Sequence, residues 1–154
     1  MKSIYYYNTK IGKIAIVENG EGITNIYPAE MLEIDKIEEK ETEIIKETAK
    51  QLNEYLEGKR KEFTIPLAPE GTDFQRRVWN ELIKVPFGIT VSYKDIAERI
   101  GNPKASRAVG MANNRNPILI IVPCHRVVGS NGSLVGYACG LEVKKELLKI
   151  EDSI

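Results

Sequence analysis

The run Ile118-Leu119-Ile120-Ile121-Val122 constrains the folding of this chain more than any other stretch. Five apolar residues in a row have to be buried, and their length and β-branching predict a buried strand. Pro123 ends the run, and Cys124-His125-Arg126-Val127 follows. The sulfur is thereby predicted at a strand terminus, where a reactive group can meet a ligand. Cys124 is one of two cysteines, and His125 is the only histidine. A free thiol of pKa about 8.5 is only about 3% thiolate at neutral pH. A nearby imidazole, cation or helix N-terminus raises that fraction, and the thiolate is the nucleophile. Taken alone, the pair has a competing reading: an inert buried thiol beside a surface histidine.

The 154-residue chain can form one domain or two small ones. With 42% apolar and 29% charged residues, its composition is that of a soluble globular protein. No apolar stretch approaches the roughly 20 residues that cross a bilayer. The start, Met1-Lys2-Ser3-Ile4-Tyr5-Tyr6-Tyr7, has no signal-peptide core. No membrane partner and a cytoplasmic location are therefore expected. Cys124 and Cys139 form no CxxC, which excludes a disulfide scaffold and a redox dithiol motif. The zero net charge hides an asymmetry. Residues 1–71 hold 10 basic against 14 acidic side chains, and residues 72–154 hold 12 against 8. The basic half suits a polyanion, because phosphate contacts need Lys and Arg. Ordinary surface variation is the alternative.

Three β-rich runs, Ile4 to Tyr7, Lys13 to Val17 and Ile23 to Tyr27, predict a short antiparallel meander. A helix is predicted from about Lys36 to Glu57, with Gly58 at its C′ position. Lys61 to Leu67 is a further strand candidate. Ala68-Pro69-Glu70-Gly71 reads as a linker, dividing the chain into 1–67 and 72–154. Thr72 is placed to cap a helix through Phe74, Val78, Trp79, Leu82 and Ile83, which Pro86-Phe87-Gly88 stops.

Ser92 with Asp95 resembles a capping box, opening a short helix that ends at Gly101. Pro103 is predicted to start a second helix at its first turn. Two short helices joined by a tight turn read as helix-turn-helix. The second carries small residues, Ala105, Ser106, Ala108, Gly110 and Ala112, around one long side chain, Arg107. Such a face can pack on another helix, or it can approach DNA closely. In the second case Arg107 can fill the gap left by an extruded base. A Gly129-Ser130-Asn131-Gly132 turn and a helix from about Leu141 to Glu151 complete the chain.

Asn116-Pro117, the apolar run and Pro123-Cys124-His125-Arg126-Val127 together resemble the signature of the O6-alkylguanine-DNA alkyltransferases. These are also called methylated-DNA–protein-cysteine methyltransferases. Thr72 to Trp79 and Ser92 to Val109 match the same family in order and spacing, so the resemblance covers roughly residues 70–151. It implies a ribonuclease-H-like α/β N-terminal domain, with a small antiparallel sheet plus helix. A mainly helical C-terminal domain with a winged helix-turn-helix follows. It implies DNA repair by irreversible, single-turnover transfer of an alkyl group from O6-alkylguanine in a flipped-out base to Cys124. O4-alkylthymine is a candidate second substrate. The implied partner is double-stranded DNA carrying the lesion, bound by a monomer.

Carried over position by position, the resemblance makes Cys124 the acceptor. His125 is the base acting through a water, and Glu151 is the carboxylate orienting it. Asn116 ties the neighbouring turn to the site. Tyr93 donates to the leaving oxygen and crowds the flipping phosphate. Arg107 replaces the extruded nucleotide, on a helix (Ala105, Ser106, Ala108, Gly110) expected in the minor groove. Tyr137, Val135, Gly136 and Ala138, with Met111, line the base pocket. Arg126 is expected to bond backbone carbonyls in a structural role. Ala138 stands where many members carry a serine, and Cys139 stands where glycine is usual. No cofactor is implied, because the damaged base is itself the alkyl donor. No metal is implied either, since no cysteine or histidine precedes Cys124. The alternative from another class is a non-catalytic lesion-sensing or regulatory DNA-binding module. Cys124 argues against it, because such relatives lack the acceptor thiol.

Overall fold

Strands β1 (Ser3–Thr9), β2 (Gly12–Glu18) and β3 (Ile23–Pro28) pair antiparallel in the computed structural model, as their patterning predicts. The structure describes residues 1–31, 37–134, 137 and 139–152. A fourth strand, β4 (Glu38–Glu39), adds parallel to β1, giving the order β3-β2-β1-β4. Both faces of β2 are covered, since Ile14 through Glu18 are all buried. Ile4, Ala15 and Val17 form a core cluster on one face, with Tyr6 and Ile37 against it.

Helix α1 (Glu43–Leu56) lies against β1 and β2. Its cap is Thr42, whose side chain accepts from the Ile45 amide. The helix expected from about Lys36 therefore begins later. Ile37 and Ile44 are seven positions apart, which fits a helix, but Ile37 belongs to the sheet side of the unit. The strand expected over 61–67 is also absent. Only Leu67 bridges, to Ile23, because Pro66 has no amide to offer a ladder. It contributes its carbonyl alone, accepting from the Ile23 amide at 2.9 Å. Gly22 is required beneath it: a Cβ there would stand 2.8 Å from the Pro66 oxygen. These elements, Met1–Glu70 together with Pro117–Leu119, form one compact unit.

The second unit, Gly71–Asn116 with Ile120–Ile154, is mainly helical. Helix α2 (Asp73–Ile83) opens with a full capping box between Thr72 and Gln75, satisfying amides that a helix start leaves unpaired. Trp79 of α2 is buried, and its indole N–H donates to the Ala112 carbonyl at 2.9 Å. A two-residue strand, β5 (Val91–Ser92), leads into α3 (Tyr93–Arg99), whose capping box joins Ser92 and Asp95. Helix α4 (Ser106–Asn114) follows. It does not start at Pro103. The Ala105 amide closes a turn onto the Asn102 carbonyl, and Ala105 is a cap without a side-chain acceptor. Strand β6 (Val127–Val128) pairs parallel with β5, and α5 (Leu141–Ile150) ends the fold.

The run 118–122 is buried throughout but is no strand. Ile118 makes one bridge, to Ile26, and the chain then turns. Ile120 has φ of 73°, a left-handed conformation that is strained for a β-branched residue. Cys124 consequently sits not at a strand end but in a 3-10 turn, Cys124–Arg126.

Candidate active site

Cys124 opens that turn with its amide donating to the Val122 carbonyl at 2.8 Å. Two asparagines, Asn113 in the last turn of α4 and Asn116 just beyond the helix, hold the turn in place. Asn116 donates from Nδ2 to the Val122 carbonyl at 2.8 Å, and Asn113 reaches the Cys124 carbonyl at 3.5 Å. The thiol is 2% exposed. Burial pushes it up to about 11, against the opposing pull of a side-chain hydrogen bond from Asn116 and the charge of Lys144. The surroundings do not make the resting sulfur a thiolate, contrary to the expectation from its neighbours. Desolvation outweighs them. A base must take the proton as the sulfur attacks.

His125 is fully buried, and its Nε2 lies 2.7 Å from Glu151 Oε2. Burial lowers its pKa, and the charges of Arg126 and Lys144 act in the same direction, against the raising effect of Glu151. The resting imidazole is therefore neutral. A carboxylate can only accept, so Nε2 carries the hydrogen and Nδ1 is the basic nitrogen. Glu151 forms the C-cap of α5 and is 2% exposed. Arg126 grips it from two sides, Nε to Oε1 at 2.8 Å and Nη2 to Oε2 at 3.0 Å. The Gly88 amide adds a contact at 3.2 Å. Arg126 also bonds the Val85 carbonyl at 2.6 Å. It thus meets one backbone carbonyl, as expected, but its larger engagement is with the carboxylate.

Tyr93, the first residue of α3, is half-buried, and burial raises its pKa, with the charge of Cys124 adding to this. Its hydroxyl stays protonated and able to donate. Tyr137 stands edge-on to His125, ring centroids 6.4 Å apart. Val135, Gly136 and Ala138 lie outside the described residues. Cys139 is half-buried.

On α4, Val109, Ala112 and Asn113 face inward, whereas Arg107 and Ala108 are exposed and Ala105, Ser106 and Gly110 are half-covered. Met111 is 60% exposed. It lines an open cavity of about 210 Å³ with Phe74, Gln75, Ala108, Ala112 and Arg115. That position is on the surface of α4.

Lys144 is the residue that sequence reasoning missed. It is fully buried on α5, its ammonium donates to the Val127 carbonyl at 2.8 Å, and burial lowers its pKa to about 8 while the charge of Cys124 opposes this. The signal was present: Lys144 shares a helical stripe with Leu147 and Leu148, where a lysine is out of place.

Two family models match. That of the 6-O-methylguanine DNA methyltransferase DNA-binding domain covers residues 73–153, and that of the same family's ribonuclease-like domain covers residues 4–69. The chain is 48% identical to a methylated-DNA–protein-cysteine methyltransferase of Methanosarcina acetivorans, over 97% of this chain and 99% of that protein. It is 44% identical to the constitutive protein of that name from Bacillus subtilis, over 95% and 94%. Among solved structures, Mycobacterium tuberculosis OGT in complex with DNA superposes with a TM-score of 0.92 at 41% identity, covering 98% of this chain and 93% of the other.

Proposed function

The chain belongs to the 6-O-methylguanine DNA methyltransferase family, and from that premise we propose that it repairs DNA by moving the alkyl group of O6-alkylguanine onto its own Cys124. The observation that carries this reading is the grouping of Cys124, Asn116, His125, Glu151 and Lys144, in which Asn116 hydrogen-bonds to the thiol, the charge of buried Lys144 acts on it, and His125 meets Glu151 at 2.7 Å.

The sulfur attacks the alkyl carbon in line as the bond from that carbon to guanine O6 breaks. The thiol proton passes to His125, through a water, and Glu151 holds the imidazolium that forms. Charge develops on O6, where the Tyr93 hydroxyl donates. Guanine leaves and takes up a proton, so the imidazole returns to neutral. A thioether has no route back to thiol here, and each molecule acts once. The alkyl donor is the lesion itself, and no cofactor takes part.

Delivery of the base follows from α3 and α4 acting as a winged helix-turn-helix, with β5 and β6 beside them. The small, open face of α4 enters the minor groove, which carries little sequence information and suits a protein that acts wherever damage falls. Arg107 occupies the place of the flipped nucleotide, and Tyr93 crowds the phosphate that rotates. Tyr137 closes the pocket. Residues 1–67 form the ribonuclease-H-like domain, and residues 68–71 link it to the domain at 72–154. The protein acts as a cytoplasmic monomer on double-stranded DNA. Among the described residues no helix is long and apolar enough to cross a membrane.

A titration of the protein with duplex containing O6-methylguanine tests the reading. Lesion loss should stop at one equivalent per protein molecule. Continued turnover, or no loss at all, would overturn it.

A further inference from the structure

His125 and Arg126 converge on the same carboxylate, and this arrangement decides where protons rest in the site. Glu151 is buried and accepts from the Arg126 guanidinium at both oxygens, from the Gly88 amide and from His125. A guanidinium cannot give up its charge. The Phe87 ring lies 5.9 Å from it, and the guanidinium also donates to the Val85 carbonyl. Arg126 and Glu151 together are therefore a neutral pair with His125 uncharged. A buried carboxylate standing alone at 2.7 Å from an imidazole would instead draw a proton onto the ring, because an unpaired buried charge is costly.

We propose that Arg126 is a positioning residue for the transfer: by neutralising Glu151 through its two-point grip, it keeps His125 an uncharged imidazole able to accept the thiol proton. The proposal rests on the function stated above. The other groups acting on His125 are consistent with it. Lys144 on α5 is a further cation that opposes protonation. The Cys124 thiol is neutral at rest, and the Tyr137 ring stands 6.4 Å from the imidazole, centroid to centroid. From the segment after α2, the Val85 carbonyl, the Phe87 ring and the Gly88 amide, all uncharged, meet this cluster. Arg126 thus does more than brace the fold, since removing its charge changes the protonation of a neighbour.

The experiment uses a convenience of the sequence: His125 is the only histidine. An NMR titration of protein carrying ¹³C-labelled histidine follows this one ring. In the wild type its midpoint should lie below the ordinary value of about 6.5. In Arg126→Gln it should be an imidazolium at about pH 6 and neutral at about pH 8.5. Transfer to Cys124 should then fall about tenfold near pH 6 and recover near pH 8.5, as displacing one protonation by about one unit requires. Arg126→Lys keeps a cation and should keep the ring neutral. A wild-type ring charged at pH 7, a charged ring in Arg126→Lys, or a uniform loss of rate in Arg126→Gln with the acid limb unmoved would each overturn the proposal. Should Arg126→Gln fail to fold, the wild-type ring and Arg126→Lys still decide. Absence of transfer in the wild type at every pH would sink the functional reading alone, because the ring titration does not depend on it.

Discussion

His125 and Glu151 meet at 2.7 Å although 26 positions separate them, and both are buried. The contact joins the 3-10 turn carrying the thiol to the C-cap of α5, so the C-terminal helix is part of the chemistry. Glu151→Gln keeps the shape and removes the charge. It leaves the buried Arg126 uncompensated, and breaking such a pair costs about 3–5 kcal/mol. Urea unfolding should show that loss, and transfer should slow in the same variant. A stability change under about 1 kcal/mol would mean the carboxylate is not the counter-charge described.

Gly110 gives a case where stability and function should part. A Cβ at this position would lie 3.8 Å from the Tyr93 ring, an ordinary contact, and alanine favours a helix interior by about 1 kcal/mol. Gly110→Ala should therefore raise the melting temperature. If α4 approaches DNA through this face, duplex affinity should drop in the same protein. Unchanged affinity, measured by fluorescence anisotropy, would remove Gly110 from the interface.

Lys144→Met makes the pH dependence testable. The folded lysine titrates at about 8 against an ordinary 10.5. Below about pH 8 it is charged in both states and its burial cost is complete. Between the two values the unfolded chain holds the extra proton, so wild-type stability gains as pH rises. The methionine variant should thus be more stable at pH 7 by about 1–3 kcal/mol, with the advantage shrinking toward pH 10. Transfer should slow as well, because the charge that pulls the Cys124 thiol down is gone. A pH-independent difference would contradict the buried ammonium.

Arg107 is exposed on α4, and its proposed task is extrusion and not bond-making. Arg107→Ala should slow repair in duplex DNA while leaving reaction with a free O6-benzylated guanine base near the wild-type rate. Equal losses on both substrates would move Arg107 into the chemistry. Raising salt should weaken duplex binding steeply in the wild type.

Local rules reached far into this fold. Thr72 and Ser92 announced their helices because a capping residue acts on amides three positions away, and the structure has both boxes. The meander was equally readable from its β-rich runs. Longer-range pairing was not. The run 118–122 looked like a strand because periodicity cannot separate a buried strand from a buried turn, and nothing local announces the left-handed Ile120. Ile37 fitted a helix until the sheet claimed it. The same limit applies to the site: Cys124 and His125 stood out as neighbours, whereas the grip of Arg126 on Glu151 exists only once α5 is folded. Sequence neighbours also suggested an ionised sulfur, and only burial, a property of the whole unit, reverses that.

The account stands on Cys124 as the final owner of the alkyl group. Incubation with excess O6-methylguanine duplex, followed by intact mass and peptide mapping, measures this directly. One added methyl should be found, on the peptide containing Cys124, and Cys124→Ala should gain none while still binding DNA. A methyl on Cys139, or an unmodified protein beside repaired DNA, would contradict the account.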